Sequence, residues 1–586
     1  MSDSGLASKL AGLKPFSKSK RKVDDEDTGD EVDSSTVAGG GHASRQSQIT
    51  RTQLNVSHAI RSFLVHQNVL SKDEAGVDEP ESMPRPLYNL LEKPHIDVPA
   101  YVVDRSYPLP EYFISSSHNT YLQAHQLYGE SSAKAYETAL NTGSRCVEID
   151  AWDNDESPDE PKVTHGYTLV SNIPFRAVCE TIRDFVDKET AQGGSVSDYR
   201  PGPTFISLEN HCGPEGQQRL VSIMKEVWGD RLLSKHVREK GHQEQQGHGE
   251  HVSLEELGAK IVVIVEYHYP DEPEDSEDDS SSSSSDEAEE DRRARQIYEE
   301  NKKSAPSTAI IPELAELGVY AQSVKPQNTS WFSEVGLQEP HHHLINVSES
   351  GLKAHMPAEN EHIARHNAHH LMRVYPKGTR ISSNNLNPVP FWGLGAQICA
   401  LNWQTFAAPL QINEALFSGT DGFVLKPAAL RSGGSGKLST GKKKRLRLHV
   451  GGATDVPIPA DREAHDIKPY LTCTLVHPDD HDNEPAKRKT RPYRQHRLGF
   501  LHTGDNPSPK DPVWDETLEW EYEDNELVFI RMLIKSDDSF ARNPKFAVAA
   551  VRLLYVTPGW SFIRLLDFKG RETACSLLVK FDIDDA

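Results

Sequence analysis

The sequence predicts an α/β protein: a parallel sheet or barrel through the middle of the chain, followed by a β-sandwich. Three observations carry this. Over residues 105–267 short apolar runs alternate with longer amphipathic stretches, the pattern of parallel strands joined by crossover helices. The same character resumes over 307–431, after a break rich in acid and serine. From 445 to 584 short strands recur at near-regular spacing with only brief helical pieces between them, which is how a sandwich reads.

The elements follow in order. Residues 1–50 are rich in Ser, Gly, Lys and Asp with few large apolar side chains, and are expected to be a disordered tail that includes the basic cluster at 14–22. Over 51–104, Leu54, Ala59, Ile60, Phe63 and Leu64, then Leu87, Leu90 and Leu91, recur at helical spacing and predict two or three helices. Strands are expected at 111–117, 145–152, 203–210 and 259–267, with helices at 131–142, 175–190 and 215–228 between them. Residues 271–291 hold 12 Asp and Glu and no Lys or Arg, and 280–285 are six consecutive serines. Such a segment has no apolar surface to bury, so 269–306 is expected to be a disordered linker. Further strands fall at 396–403 and 422–426, and the Gly, Ser and Lys of 432–444 predict a flexible linker. The sandwich strands are expected at 446–450, 470–476, 517–522, 527–534, 546–553 and 576–583.

Composition narrows the function. Against 88 Asp+Glu stand 64 Lys+Arg, a net charge of −24 over 586 residues, half of it on 271–291. An acidic chain repels a nucleic-acid backbone, so no nucleic-acid partner is expected. Six cysteines without a CxxC read as reduced thiols of an intracellular protein. No apolar run approaches the ~18–20 residues that span a bilayer. MSDSGLASKL lacks the apolar core of a signal peptide. The expectation is a monomer of the cytosol or nucleus that meets lipid only from the surface. Gly436–Lys442 nearly spells a phosphate-binding loop, but Lys443 stands where Ser or Thr is needed and no strand precedes it. The alternation Asp153, Asp155, Ser157, Asp159 fails as an EF-hand loop at Pro158 and Thr164. His341–His343 read as a polar loop.

The chemistry collects at strand ends. One run leads into Ser115-Ser116-Ser117-His118-Asn119, a second into Glu148-Ile149-Asp150, a third into Ser207-Leu208-Glu209-Asn210-His211, and a fourth segment ends in Thr164-His165-Gly166. In a parallel barrel such ends converge on one mouth. Glu148 and Asp150 sit two apart, so on a strand they share a face. Asn, Glu and Asp offer only oxygen, the preference of a hard cation such as Ca²⁺ or Mg²⁺. Histidines beside such a cation suit acid–base work on a phosphate ester.

SSSHNTYL (115–122), RCVEIDAWD (145–153), HGYTL (165–169) and ISLENHC (206–212) resemble the X region of the eukaryotic phosphoinositide-specific phospholipases C. RVYPKGTR (373–380), NPVPFWGLGAQICALNWQT (387–405) and GFVLKPAALR (422–431) resemble the Y region. The resemblance is to a delta-like, trimmed, fungal-type form without a PH domain. It implies a TIM-type (β/α)8 barrel split by the acidic linker, with X half 105–268 and Y half 307–431. A reduced EF-hand-like helical region at 51–104 would precede it and a C2-like β-sandwich at 445–586 would follow. It implies Ca²⁺ held by Asn119, Glu148, Asp150 and Glu209. His118 would stabilise the charge of the phosphorane, His165 would protonate the departing diacylglycerol oxygen, and Glu148 or Glu209 would take the proton of the inositol 2-hydroxyl. Arg373 would pair with a ring phosphate, Tyr375 would pack on the ring face, and Asn346 sits where the family has a serine ligand. The substrate would be a phosphoinositide in a membrane surface, cleaved to diacylglycerol and inositol phosphate through a cyclic phosphodiester.

The resemblance also marks departures. The family places two phosphate-binding lysines at the end of the 259–267 strand; the matching positions are Ile264 and Glu266, with Lys325 nearby as a substitute cation. Losing charged hydrogen bonds worth ~1.5–3 kcal/mol each argues against a bisphosphate preference. Leu127 and Leu169 match apolar ridge positions, and Thr379 stands where an animal member has Trp. In the C2-like domain Asp466, Asp537 and Asp538 fall in candidate Ca²⁺ loops, with Pro544 where a further Asp is expected. The acidic linker is expected to repel an anionic bilayer and so restrain activity. Two other readings compete with the enzyme: a catalytically impaired lipid-binding scaffold, which the missing lysines favour, and a phosphodiesterase of soluble esters, which would not need the C-terminal domain or the Arg373–Tyr375 pair.

Overall fold

The computed structural model describes residues 27–37, 54–79, 81–123, 130–164, 171–193, 201–238, 251–267, 309–324, 329–333, 336–377, 384–459, 462–480, 485–496, 506–537 and 545–586. Eight parallel strands form the first unit: β1 (Tyr112–His118), β2 (Cys146–Trp152), β3 (Thr204–His211), β4 (Ile261–Tyr267), β5 (Gln322–Val324), β6 (His343–Ser348), β7 (Leu371–Tyr375) and β8 (Ile398–Asn402). They pair in chain order, β8 pairs with β1 and β1 with β2, so the sheet closes into a barrel. A short β9 (Phe423–Leu425) runs antiparallel along the start of β1.

The period of two sorts every strand. In β2, Val147, Ile149 and Ala151 face outward into a core shared with Val178, Ile182 and Phe185 of helix α1 (Phe175–Gly193) and Leu220, Ile223 and Met224 of α2 (Pro214–Trp228). The alternate residues point into the barrel and stack in layers. The lowest layer is apolar: Ile114, Cys146, Phe205, Val262, Leu344, Leu371 and Ile398 belong to one buried cluster. Two residues further along each strand the register sets Glu148 beside Ser207 and Ser207 beside Ile264, with Asn346 beside Arg373. Two more residues reach the rim, where Asp150 pairs with Glu209, His118 with Asn402, and Ser348 with Tyr375. The expected strands at 111–117, 145–152, 203–210, 259–267 and 396–403 are all present. β5, β6 and β7 were not among the expected strands, because they are short and interrupted by polar residues.

The second unit is antiparallel throughout. Its strands are β10 (Lys443–Thr454), β11 (Pro469–Val476), β12 (Lys487–Lys489), β13 (Val513–Glu523), β14 (Phe529–Ser536), β15 (Lys545–Arg552), β16 (Trp560–Leu566) and β17 (Glu572–Asp585), in the order β12-β11-β14-β15-β16-β17-β10-β13. A single pair, Val548 with Leu566, joins the two halves of four, which close over a common core that includes Leu448, Leu471, Trp520, Ile530 and Leu577. The helices at 58–66 and 85–92 lie against this unit, with Phe63 edge-on to Trp560 at 5.4 Å and Leu87 and Leu91 packed with Phe562 and Leu578.

Two expectations are corrected. The tail over 1–50 is not wholly disordered. Residues 27–37 are strapped between the two units: Glu31 bridges Thr405, Val32 N donates to Gln404 O, and Val37 N donates to Gly570 O. Composition missed this because only Val32 and Val37 bury apolar surface, and backbone pairing and cations of the sandwich supply the other contacts of the strap. The flexible linker over 432–444 is instead a fixed connection. Gly434 and Gly436 donate back to Arg431 and Ala429, Leu438 packs on the barrel core, and β10 already begins at Lys443. The acidic linker, His165, Leu127, Leu169, Lys325, Thr379, Asp538 and Pro544 lie outside the described residues. Of the candidate Ca²⁺ loops in the sandwich, Asp466 turns back to its own Glu463 N at 3.2 Å and Asp537 faces Arg494 at 3.8 Å. No described helix is long and apolar enough to cross a membrane.

Candidate active site

The rim of the barrel gathers the predicted residues. Asp150, Glu209 and His211 each present a ligand atom within 4.8 Å of the others, the only such group among the described residues. Glu148 lies one layer below, fully buried, and Asn119 follows β1 in the left-handed region at φ 45°. That conformation costs a non-glycine residue about 1–3 kcal/mol and persists only where surroundings impose it. Here Asn119 N donates to Glu148 Oε2 at 2.7 Å, and its carbonyl accepts from Leu122 N and Gln404 Nε2, both at 3.0 Å. The Tyr121 hydroxyl lies between the amide and the acid, 3.0 Å from Asn119 Oδ1 and donating a short bond to Asp150 Oδ2. Burial and the charges of Asp150 and Glu148 push its pKa well up, so it stays a donor.

The carboxylates are unequal. Burial raises the pKa of all three and is the largest single effect at each, but at Glu148 the Arg373 guanidinium, 2.9 Å away, the charge of His118 and the hydrogen bonds to Glu209 and Asn119 N together outweigh it and hold Glu148 below its ordinary value. Asp150 is pushed well up by burial and then by the charge of Glu148; Glu209 is pushed up by burial and by Glu148, Asp150 and Glu266 in turn. Asp150 Oδ1 is buried with no hydrogen-bond partner. A buried orphan oxygen in a group of oxygen donors is what a hard cation would satisfy, so the residues fit a Ca²⁺ or Mg²⁺ ion.

His118 sits opposite. Its Nδ1 is 2.9 Å from Asn402 Oδ1, which fixes the proton on Nδ1 and leaves Nε2 for a substrate. Burial pulls its pKa down while the charge of Glu148 pulls it up. Arg373 and Asn346, on adjacent strands, are joined at 3.1 Å, and the guanidinium lies 5.7 Å from the Tyr375 ring. Arg373 is only 1% exposed and turned toward Glu148, with Glu209 at 3.8 Å, instead of outward to solvent. Ile264 is buried in the barrel interior, whereas Glu266 is near enough for its charge to raise both Asp150 and Glu209.

Sequence reasoning missed the supports: Tyr121, Asn402 and Gln404. All three lie within the quoted blocks, but only the fold brings Asn402 and Gln404 from the end of β8 to the end of β1.

A closed (β/α)8 barrel with carboxylates, an amide and a braced imidazole at its C-terminal mouth, joined to an antiparallel sandwich, defines a class of barrel scaffold suited to metal-assisted acid–base chemistry. The chain belongs to the phosphatidylinositol-specific phospholipase C family: residues 105–267 match its X domain and 314–429 its Y domain. It is 31% identical over 540 residues to 1-phosphatidylinositol 4,5-bisphosphate phosphodiesterase 1 of Candida albicans, covering 82% of this chain and 48% of that one. It is 30% identical over 533 residues to 1-phosphatidylinositol 4,5-bisphosphate phosphodiesterase of Dictyostelium discoideum (84% and 61%), and 29% identical over 497 residues to the delta-1 form of Homo sapiens (82% and 61%). The chain thus spans between half and three fifths of the length of these relatives. The crystal structure of L. pealei PLC21 shares the fold, with a TM-score of 0.66 at 22% identity, over 94% of this chain and 65% of that one.

Proposed function

We propose that this chain hydrolyses the phosphodiester of membrane phosphoinositides, yielding diacylglycerol and an inositol phosphate, with one Ca²⁺ held by Asn119, Glu148, Asp150 and Glu209. The observation that carries the reading is the unpartnered Asp150 Oδ1 within the acidic group beside His118. The names of the relatives, phosphodiesterases of phosphatidylinositol 4,5-bisphosphate, support the substrate class.

Bound there, the ion would lower the pKa of the inositol 2-hydroxyl and offset charge on the pentacoordinate phosphorus. The chain's own residues divide the rest. A general base works best with a pKa near ambient pH. Arg373 pairs with Glu148 at 2.9 Å but stands 3.8 Å from Glu209, so Glu148 is held as the anion and Glu209 is the better acceptor of the 2-hydroxyl proton. His118, oriented by Asn402, offers Nε2 to a non-bridging phosphate oxygen. His165 is assigned the proton for the departing diacylglycerol oxygen, and afterwards takes a proton from the water that opens the cyclic phosphate.

The head-group end is thinned of cations. Glu266 adds negative charge where a ring phosphate would sit, and Ile264 is buried and apolar. Phosphatidylinositol or a monophosphate is therefore used at least as well as the bisphosphate. The test is release of soluble inositol phosphate from vesicles carrying each of the three lipids, with and without Ca²⁺. Ca²⁺-dependent release favouring the less phosphorylated lipids is expected, and Glu266→Lys should move the ratio toward the bisphosphate by tenfold or more, about the value of one charged hydrogen bond. A wild-type chain that cleaves the bisphosphate preferentially would overturn the specificity; no cleavage of any lipid would overturn the activity.

A further inference from the structure

Residues 27–37 make contacts that the reaction does not require. Their backbone pairs on one side with the loop after β8: Val32 N donates to Gln404 O at 2.9 Å, Phe406 N donates to Asp30 O at 3.0 Å, and Glu31 bridges Thr405. On the other side they grip the sandwich. Asp30 N donates to Phe568 O and Val37 N to Gly570 O, while Lys545 Nζ donates to Thr28 O at 2.8 Å and Arg531 meets Asp27 at 3.2 Å. Gly29 lies so close to the loop that an added Cβ would fall 2.2 Å from the Phe406 carbonyl carbon, so this approach needs a glycine. Thr36 and Val37 are buried at the far end of the strap.

The gripped loop is the one that braces the mouth. Gln404 Nε2 donates to the carbonyl of Asn119, the residue held at φ 45°. Trp403 Nε1 donates to Ser116 O at 3.0 Å, two residues before His118. Asn402, which orients His118, immediately precedes Trp403. Gln404 therefore carries the strap on its backbone and Asn119 on its side chain.

We propose that residues 27–37 are a positioning strap, which through Gln404 holds Asn119 in its left-handed conformation and so sets the geometry of the cation-binding end of the site. The strap touches no substrate. It acts by keeping an unfavourable backbone state populated, and its loss lets the 119 peptide relax. The catalytic consequence rests on the function proposed above; the conformational one does not.

The experiment uses the full-length chain and compares Gly29→Val, which blocks the approach, with Val32→Pro, which removes the N–H donated to Gln404. A chain lacking residues 1–26 serves as the control. Amide hydrogen exchange is expected to rise over 115–122 and 398–407 in both variants and to stay at the wild-type level in the control. Ca²⁺ affinity, read by calorimetry without substrate, should weaken about tenfold, in line with lost outer-shell support. On vesicles kcat should fall while KM holds, and adding the free 27–37 peptide to a chain lacking 1–37 should restore part of it. Unchanged exchange at 115–122 in both variants would overturn the strap. Altered exchange in a wild-type background that cleaves no lipid would keep the strap and remove the function.

Discussion

At the scale of single residues, the site depends on groups that never touch substrate. Tyr121 is the sharpest case, since one hydroxyl meets both Asn119 Oδ1 and Asp150 Oδ2. Tyr121→Phe keeps the ring in its buried slot and removes only the donor. Hydrogen bonds to charged groups contribute ~1.5–3 kcal/mol, so Ca²⁺ affinity should fall roughly 10- to 100-fold with the fold intact. A calcium titration of the variant by calorimetry checks it, and an unchanged affinity would mean that Asp150 orients itself. The proposed ligands were legible in the sequence because their chemistry is written in residue type: Asn119, Glu148, Asp150 and Glu209 are oxygen donors at the ends of apolar runs. Their inequality was not legible. Only the fold puts Arg373 against Glu148 and leaves Asp150 and Glu209 to share the crowding, which sets one carboxylate apart from the other two.

At the scale of elements, alternation made the long strands readable, because β2, β3 and β4 bury both faces and bear apolar residues outward at every second position. β5, β6 and β7 are short and interrupted by polar residues and gave no such signal. Nor did the sequence reveal that scattered histidines meet beneath β6 and β7. His251 and His341 rings lie 6.4 Å apart, His341 and His370 5.6 Å, and His366 stacks on His370 at 4.7 Å. Burial, and then mutual repulsion, takes His251 and His366 to about 3, and burial takes His370 to about 4, from 6.5. Lys426 adds to this at His366, and the Glu339 carboxylate reaches only His343, at 3.6 Å. These three histidines bind protons in the unfolded chain but not in the folded one. Their contribution to stability is therefore whole above pH 6.5 and is lost as the pH falls toward about 4. Each adds a slope of about 1.4 kcal/mol per pH unit, so three give about 4. Two pH units below 6.5 therefore remove about 8 kcal/mol, of the same order as a typical stability of ~5–15 kcal/mol, so acid destabilises the chain strongly. Urea unfolding between pH 5 and 7 checks this: His251→Gln and His370→Gln should each flatten the slope by about a third. A slope that both variants leave unchanged would sink the assignment.

At the scale of the molecule, barrel and sandwich share one core, which bears on how the chain unfolds. Helix α3 (Ala408–Phe417) is buried from Leu410 onward, its polar Gln411, Asn413 and Glu414 included, because the barrel covers one side and the sandwich the other. Trp392 is the hinge of that contact, 5.9 Å from the Phe529 ring of β14 and 6.3 Å from Phe417. Arg531 of β14 donates to Gln411 at 2.6 Å, and the Tyr555 hydroxyl donates to Leu416 O at 3.1 Å. Neither this helix nor what covers its two faces was legible in the sequence, since apolar residues do not name their partner. An interface this buried couples the units, so they should open together. Trp392→Ala should remove ~3–5 kcal/mol, the usual loss for a large buried aromatic. The loss should appear equally in hydrogen exchange of peptides from 398–417 in the barrel and 529–536 in the sandwich. If the sandwich peptides keep wild-type protection while the barrel peptides lose theirs, the two units fold independently and the shared core is only a docking surface.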